Sequence, residues 1–365
     1  MTQDDDVARL TARFRRQVES AVQRSSPLYE TLLRRCVEDL EQRGPTWDLL
    51  QAHAREPAGS AVALRLLAAV HRLVLDGTAP GLAAAYPSTG GDGDPARAWE
   101  AFRAVLVDHR AEVAAGLRRP LQTNEVGRCA AVVLGLARVA ELTGTAPCTL
   151  EIGASAGLNL NWHRYRYTAG DATWGPESSP VRLGLPAAAA PALAALRPPV
   201  EVLGCDRAPL DATSAEDRLW LRACVWADQV DRLAALDAAF AVAAEHPPAV
   251  ERAPAAAWLE VRLAQRRQEP TVVVQTVVDQ YLDDDEREAL TDVLDEAGRL
   301  AAADAPVAWV RMESPRTAED VVPGREGLAE VRVRVLPDGP DEVVAYAGFH
   351  GRPVHLAGGS STMSP

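Results

Sequence analysis

The sequence has 365 residues, a length at which chains usually form more than one domain. Apolar residues make up 47% and charged residues 24%, which is typical of a globular protein. The net charge of −13 opposes binding to nucleic acid and to anionic membranes, so we expect a small-molecule partner instead. Composition gives no indication of the oligomeric state.

The N-terminal M-T-Q-D-D-D is acidic and lacks the order of a signal peptide, and no apolar run of about 18 residues predicts a membrane span. The cysteines are scattered and form no C-x-x-C pair: Cys36, Cys129, Cys148, Cys205 and Cys224. This pattern favours reduced thiols and a cytoplasmic location. No histidine or cysteine cluster has the spacing of a metal site, so none is expected.

The first 120 residues are predicted to form an all-helical N-terminal domain. Val7, Leu10, Phe14 and Val18 recur every three or four positions, which places them on one face of a helix. The segment 59–75 is almost continuously apolar and predicts a buried helix. No strong strand pattern occurs before residue 148.

From about residue 121 short apolar runs alternate with helical patterns. The runs cover 148–152, 200–205, 271–278 and 307–312. This alternation predicts a Rossmann-like α/β domain over 121–356 with a mostly parallel sheet. Two further runs, 330–336 and 343–349, flank the turn P-D-G-P-D-E and predict a C-terminal antiparallel hairpin. Residues 357–365 are expected to form a disordered tail.

The segment L-E-I-G-A-S-A-G-L-N-L, residues 150–160, allows two interpretations. In the first, G-x-S-x-G displays Ser155 as the nucleophile of a serine hydrolase. That mechanism needs a later acid and histidine. The later histidines, at 163, 246, 350 and 355, stand in no distinctive sequence context, and no H-G-G-type segment precedes the serine.

In the second interpretation the segment is a nucleotide-binding loop. Gly153 and Gly157 permit a tight turn between a strand and a helix, Glu151 ends the strand, and Ser155 replaces a central glycine. Asp206 ends the next strand, where an acidic residue can bind ribose hydroxyls. It follows Gly157 by 49 residues rather than about 20, because a block is inserted between them. Alternatively, Asp206 only caps a turn with the residues at 209 and 211.

This outline resembles the class I S-adenosylmethionine-dependent methyltransferases, whose seven-stranded sheet ends in an antiparallel hairpin. The resemblance implies that Glu151, Gly153, Ser155 and Gly157 contact the methionine part of the cofactor. It further implies that Asp206 holds the ribose and that residues 276–280 border the active site. The implied function is methyl transfer from S-adenosylmethionine to a small organic acceptor, with the helical domain shaping the substrate pocket. A non-catalytic nucleoside-binding module of the same fold is the alternative.

A closer resemblance, extending from about residue 10 to 356, is to the uncharacterised bacterial DUF2332 family. The segments that carry it are S-S-P-L-Y (25–29), Q-T-N-E-V-G-R (122–128), 150–160, R-Y-R-Y (164–167) and W-A-D-Q (226–229). This family tends to have a histidine near the end of strand four, where Gln275 stands here. The departure argues against a histidine-based mechanism, and Gln275 is instead expected to contact the cofactor.

Further polar residues are candidates because they fall near the predicted ligand-binding edge. Arg128 could pair with a ligand carboxylate, whereas Asn124 and Glu125 could line the site or only cap a helix. Asn159 could likewise bind the cofactor or only cap a helix. The catalytic residues cannot be assigned from sequence, and the candidates are Asn124, Glu125, Thr276, Asp279 and Tyr281. The acidic run 283–285 is interpreted as a helix start rather than a metal site.

Overall fold

The structure is a computed structural model that describes residues 2–23, 26–265, 268–315 and 317–358. Packing divides the chain into a helical unit, Met1–Thr123 with Ser214–Ala234, and a sheet unit, Asn124–Thr213 with Ala235–Pro365. Most of the predicted tail, residues 359–365, lies outside the described residues, as does Ser25 of the S-S-P-L-Y segment. None of the helices in the described part is both long and apolar enough to cross a membrane.

The helices and strands run in chain order as follows. The helices are α1 (Gln3–Gln23), α2 (Pro27–Glu41), α3 (Pro45–Leu50), α4 (Val62–Leu75), α5 (Pro80–Ala83), α6 (Pro95–Asp108), α7 (Arg110–Leu117), α8 (Cys129–Thr143), α9 (Ala190–Ala195), α10 (Ala215–Ala223), α11 (Val230–Glu245), α12 (Ala255–Leu263) and α13 (Asp284–Leu300). The strands are β1 (Cys148–Ile152), β2 (Arg166–Ala169), β3 (Ala172–Trp174), β4 (Arg182–Leu185), β5 (Glu201–Asp206), β6 (Val250–Arg252), β7 (Thr271–Thr276), β8 (Val307–Glu313), β9 (Ala329–Val335), β10 (Glu342–Ala347) and β11 (Val354–Leu356).

The helical unit confirms the predicted helical N-terminal region. In α1, Leu10, Phe14 and Val18 are buried, as their spacing predicts. Its core also takes in Trp226, whose ring stacks on that of Tyr29 at a centroid distance of 5.0 Å. Residues 214–234 therefore pack with helices that lie more than a hundred positions earlier in the chain, which local sequence patterns do not indicate.

The sheet unit contains an eight-stranded sheet in the order β6-β5-β1-β7-β8-β9-β10-β11. The first five strands of this order are parallel, and β9, β10 and β11 follow as an antiparallel meander. The predicted mostly parallel sheet and C-terminal hairpin are thus present. Since β11 adds a short third antiparallel strand, the sheet has eight strands rather than the seven that the methyltransferase resemblance implied.

The strand order places a switch point beside β1. From β1 the chain runs outward to β5 and β6, then returns to β7 on the other side of β1. In open α/β sheets ligands bind at such a point, outside the carboxyl ends of the strands. Helix α8 packs on β8, β9 and β10, whereas α12 and α13 pack together and α13 lies against β8.

The block inserted after the glycine loop forms a second, three-stranded sheet in the order β3-β2-β4. Tyr165 and Tyr167 are fully buried in it, and their hydroxyls donate to the carbonyls of Leu158 (2.5 Å) and Trp162 (2.9 Å). The ring of Trp162 stacks on that of Trp174. These tyrosines therefore bind the segment that directly follows the loop.

Candidate functional site

In the loop that follows β1, every second residue has a left-handed backbone conformation. The φ angles are +66° at Gly153, +55° at Ser155 and +73° at Gly157. A Cβ on Gly153 would lie 2.6 Å from the Val278 side chain, and one on Gly157 equally close to that of Val250, so both positions require glycine. Ser155 is 5% exposed and holds a conformation that L residues rarely adopt.

Several loop N–H groups have partners within the chain. The N–H of Ser155 donates to Oδ2 of Asp206 at 2.9 Å, and the N–H of Leu158 donates to Oδ1 of Asn124 at 2.8 Å. The N–H of Ala154 donates to the carbonyl of Cys205 at 3.0 Å. The loop therefore keeps its shape through contacts to β5 and to the segment before α8. The segment that follows it, Leu158–Arg164, is a 3₁₀ helix.

Asp206 both caps a turn and holds the loop. Its Oδ1 accepts from the N–H of Ala208 at 2.9 Å, while its Oδ2 accepts from Ser155. The turn that the sequence suggests is present, with Ala208 as a backbone donor. One carboxylate thus joins the carboxyl end of β5 to the loop after β1.

Glu151 lies on β1 with only 4% of its surface exposed. Burial raises the pKa of its carboxyl to about 8, against the lowering effects of the Arg128 charge and a hydrogen bond with Asn159. It borders a cavity of about 10 Å³, close to the minimum for one water molecule. Glu151 is therefore a buried acid that a cationic group would stabilise in its ionised form.

The segment before α8 reaches this region, as its polar sequence suggests. The Nε of Arg128 donates to the carbonyl of Phe349 at 2.9 Å, and its Nη1 donates to that of Thr276 at 3.1 Å. Oε2 of Glu125 lies 3.1 Å from Nδ1 of His350. Arg128 thus ties the end of β7 to the turn before β11. His350 gains an acidic neighbour that its sequence context does not reveal.

A second acidic group lies at the ends of β7 and β8. The fully buried Gln275 donates through Nε2 to Oδ1 of Asp279 at 2.5 Å. Glu313 accepts from the N–H groups of Val278 at 2.8 Å and Asp279 at 3.4 Å. Burial and the nearby Asp279 raise the pKa of Glu313 to about 7. Glu313 was not among the predicted site residues, although it is an acid ending a buried strand.

The predicted site residues fall into two neighbouring groups and one outlier. Around the loop lie Asn124, Glu125, Arg128, Glu151, Gly153, Ser155, Gly157, Asn159, Asp206 and Thr276. Gln275 and Asp279 join Glu313 instead, and the two groups meet where Gly153 packs against Val278. Tyr281 is 55% exposed. The described residues contain no group of three or more His, Cys, Asp or Glu side chains placed to hold a metal ion.

The acidic run after β7 begins a helix, as interpreted from the sequence. Asp283 caps α13 by accepting from the N–H of Glu286 at 2.9 Å, and the Glu286 side chain accepts from the N–H of Asp283 at 3.0 Å. This reciprocal pair satisfies two N–H groups that the helix itself leaves free. These carboxylates therefore stabilise the start of α13.

Comparison with known proteins places the chain in a family without a described activity. No curated protein and no solved structure matches it. The sequence profile of DUF2332, described as an uncharacterized protein conserved in bacteria, matches residues 11–355. Because this match covers nearly the whole sequence, the chain belongs to the DUF2332 family.

Proposed function

We propose that the sheet unit binds S-adenosylmethionine at the loop 153–157 and catalyses methyl transfer to a small organic acceptor. The loop lies at the carboxyl end of β1, beside the switch point of the sheet, where ligands of open α/β folds bind. Asp206 ends the neighbouring strand β5. The buried cysteines, all free thiols, favour the cytoplasm as the location.

The observation that carries the proposal is the buried carboxyl of Glu151 below the loop. A buried acid with a pKa near 8 has incomplete charge compensation, and a cationic ligand would supply the missing charge. S-adenosylmethionine carries positive charge on its sulfonium and ammonium groups. A neutral nucleoside would leave Glu151 as it is, so this residue favours a cationic cofactor.

Asp206 is compatible with a role in ribose binding. Each of its carboxylate oxygens accepts one backbone N–H, and a carboxylate oxygen can accept a second donor. Two ribose hydroxyls are donors of this kind. Since the cavity beside Glu151 has room for about one water molecule, the nucleoside would lie on the outer side of the loop.

The bound cofactor would supply an electrophilic methyl group. The chain's own contribution is to fix the loop and to exclude water, and neither task needs a strong acid–base pair. Asn124 and Arg128 perform the first task by bonding to Leu158, Phe349 and Thr276. Glu125, Thr276 and Asp279 remain the candidates on the acceptor side, whereas the exposed Tyr281 is the weakest.

Calorimetric titration with S-adenosylmethionine and its demethylated product tests the proposal. We expect the wild-type protein to bind both, and Glu151→Gln to weaken S-adenosylmethionine binding about 10- to 100-fold through loss of a charged interaction. Glu288→Gln, on an exposed turn of α13, has the same charge change and should bind as the wild type does. No binding of either compound at millimolar concentration would contradict the proposal. Binding without turnover of any acceptor would favour a non-catalytic module.

One observation favours a second candidate, the serine hydrolase. The φ of +55° at Ser155 is the kind of strained backbone that a nucleophile in G-x-S-x-G adopts. Labelling by a fluorophosphonate reagent that disappears in Ser155→Ala would assign this function. Wild-type protein that remains unlabelled would exclude Ser155 as an activated nucleophile.

A further inference from the structure

The chain leaves β7 through a strained residue. Val277 directly follows Thr276, the last residue of the strand, and has a φ of +57°. Branching at Cβ makes this left-handed conformation unfavourable for valine, and no other described residue with such a φ has a β-branched side chain. Conformations of this kind persist only where the surrounding structure holds them, and they are most frequent at functional sites.

The conformation of Val277 is set by the two peptide groups that flank it. In the preceding group, the N–H of Val277 donates to the carbonyl of Met312 at 2.9 Å, and the carbonyl of Thr276 accepts from Nη1 of Arg128 at 3.1 Å. These two bonds do not depend on the φ of Val277, because that torsion lies beyond them in the chain. They fix the end of β7 but do not by themselves impose the strain.

Glu313 holds the peptide group that follows. Its Oε1 accepts from the N–H of Val278 at 2.8 Å, and its Oε2 accepts from that of Asp279 at 3.4 Å. Glu313 ends the neighbouring strand β8 and is 9% exposed, so little water competes for its oxygens. An ionised carboxylate is a stronger acceptor of such bonds than a neutral group. This side chain therefore supplies an interaction that can offset the strain at Val277.

The turn after β7 contacts the loop after β1. Val278, whose N–H Glu313 holds, packs on Gly153, where a Cβ would lie 2.6 Å from Cγ2 of the valine. Strands β1 and β7 are hydrogen-bonded neighbours, so this contact joins the two strand ends beside the switch point. If Val277 left its left-handed conformation, the chain would continue in another direction and withdraw Val278 from Gly153. The loop would then lose its support on this side.

We propose that Glu313 is a positioning residue for the loop 153–157 and acts through the strained turn at Val277. Its carboxylate holds the turn in the conformation that seats Val278 against Gly153. Loss of this anchor lets the turn relax and loosens the loop. That a loosened loop binds S-adenosylmethionine less tightly rests on the proposed function, whereas the coupling between turn and loop does not.

Hydrogen exchange of the ligand-free, full-length protein at pH 8, followed by NMR, tests the coupling. The informative amides are those of Ala154 and Ser155, because neither donates to Glu313. We expect Glu313→Gln to speed their exchange about 10-fold or more. Glu288→Gln, with the same charge change at an exposed position of α13, should leave it unaltered. Exchange at these amides that is the same in Glu313→Gln as in the wild type would overturn the proposal.

A substitution at residue 277 shows whether strain is the link. Val277→Gly and Val277→Ala both remove the branched side chain, but only glycine adopts a left-handed conformation without steric cost. In the Glu313→Gln background, the glycine variant should therefore exchange Ala154 and Ser155 about 3-fold or more slowly than the alanine variant. Equal rates in the two double variants would show that strain does not connect Glu313 to the loop.

Val278→Ala tests the contact while Glu313 is intact, and it keeps the test decisive if Glu313→Gln does not fold. The shorter side chain should leave Gly153 without its neighbour, so the amides of Ala154 and Ser155 should exchange about 3-fold faster or more. Exchange that remains at the wild-type rate would overturn the proposed path from the turn to the loop.

Titration with S-adenosylmethionine gives the functional readout. Glu313→Gln should bind the cofactor about 10-fold more weakly than the wild type, and in this background Val277→Gly should bind it about 3-fold more tightly than Val277→Ala. Unaltered affinity in Glu313→Gln, with faster exchange in the loop, would overturn the positioning role. Wild-type protein that binds no cofactor would contradict the proposed function instead, because the exchange experiment measures the coupling without ligand.

Discussion

Oδ2 of Asp206 lies 2.9 Å from the backbone N of Ser155, so one carboxylate joins the end of β5 to the loop that follows the adjacent parallel strand β1. The same carboxylate accepts from Ala208 within its own turn. The acid that the sequence indicates as a ribose ligand therefore also has a structural function. The structural function can be measured on its own.

Asp206→Asn is expected to destabilise the loop. The amide keeps one acceptor but places an NH₂ group opposite one of the two backbone donors, which costs about 1–3 kcal/mol of unfolding free energy. Urea denaturation measures this loss, and hydrogen exchange at the Ser155 amide should become faster. Asp292→Asn, at an exposed position of α13, should change stability by less than about 0.5 kcal/mol. Equal stabilities of the two variants would show that the bond contributes nothing.

At position 155 we expect glycine to give a more stable protein than alanine, which is the reverse of the order in a helix. Left-handed backbone costs about 1–2 kcal/mol for a residue with a Cβ, more than the extra chain entropy that glycine loses on folding. Ser155→Gly should therefore be about 0.5–1 kcal/mol more stable than Ser155→Ala in thermal or urea unfolding. At the exposed helical position 289 the order should be the opposite, with Ala289→Gly losing about 1 kcal/mol. A more stable alanine at position 155 would contradict the strain argument.

Four of the five parallel strands could be predicted because local sequence encodes them, whereas β6, which has only three residues, was not predicted. The run at 271–278 contains β7, whose residues Thr271–Thr276 are all buried, and apolar content alone indicates that environment. Glu151 and Asp206 could be placed at the strand ends by the same reasoning. In contrast, β11 has only three residues, and the small sheet in the inserted block is built from strands of three or four, too short for a periodic pattern.

The contacts that shape the site could not be predicted, because they join distant parts of the chain. Glu125 and His350 are 225 positions apart, and the N–H of Val278 donates to Oε1 of Glu313 in the neighbouring strand β8. Glu313 itself ends the strand run at 307–312, and a search for acids at every strand end would have found it. No sequence pattern indicates the contact between His350 and Glu125, since the turn before β11 determines which residue lies next to His350.

Glu151→Gln is expected to alter the pH dependence of stability. A carboxyl whose pKa is raised from near 4.5 to about 8 on folding holds its proton more tightly in the native state, so it lowers stability as pH rises through that window. The charged groups that face it are Arg128, which opposes the shift, and Asp206, which adds to it. The advantage of the variant over the wild type should be larger at pH 8.5 than at pH 5 by about 3–4 kcal/mol, since glutamine stays neutral. Urea denaturation at both pH values measures the difference, and a wild-type advantage at pH 8.5 would mean that Glu151 is ionised and paired there.

Gly351 and Gly358 form a matched pair for testing the turn that carries Phe349 and His350. Both glycines have a left-handed φ, +84° and +87°, but a Cβ at 351 would lie 1.9 Å from the carbonyl oxygen of Gly127, whereas at 358 nothing lies within 4 Å. Gly358→Ala should therefore cost about 1 kcal/mol at most, and Gly351→Ala about 3 kcal/mol or more.

The clash at residue 351 would push the turn away from the segment that begins α8, so it should also disturb the bond from Arg128 to Phe349 and the contact between Glu125 and His350. If these contacts fix the site, Gly351→Ala should lower the affinity for S-adenosylmethionine under conditions in which the variant remains folded, and Gly358→Ala should not. Calorimetric titration at 15 °C, with folding checked by circular dichroism, compares the two variants. Equal affinities would show that the turn does not shape the site and has only a structural role.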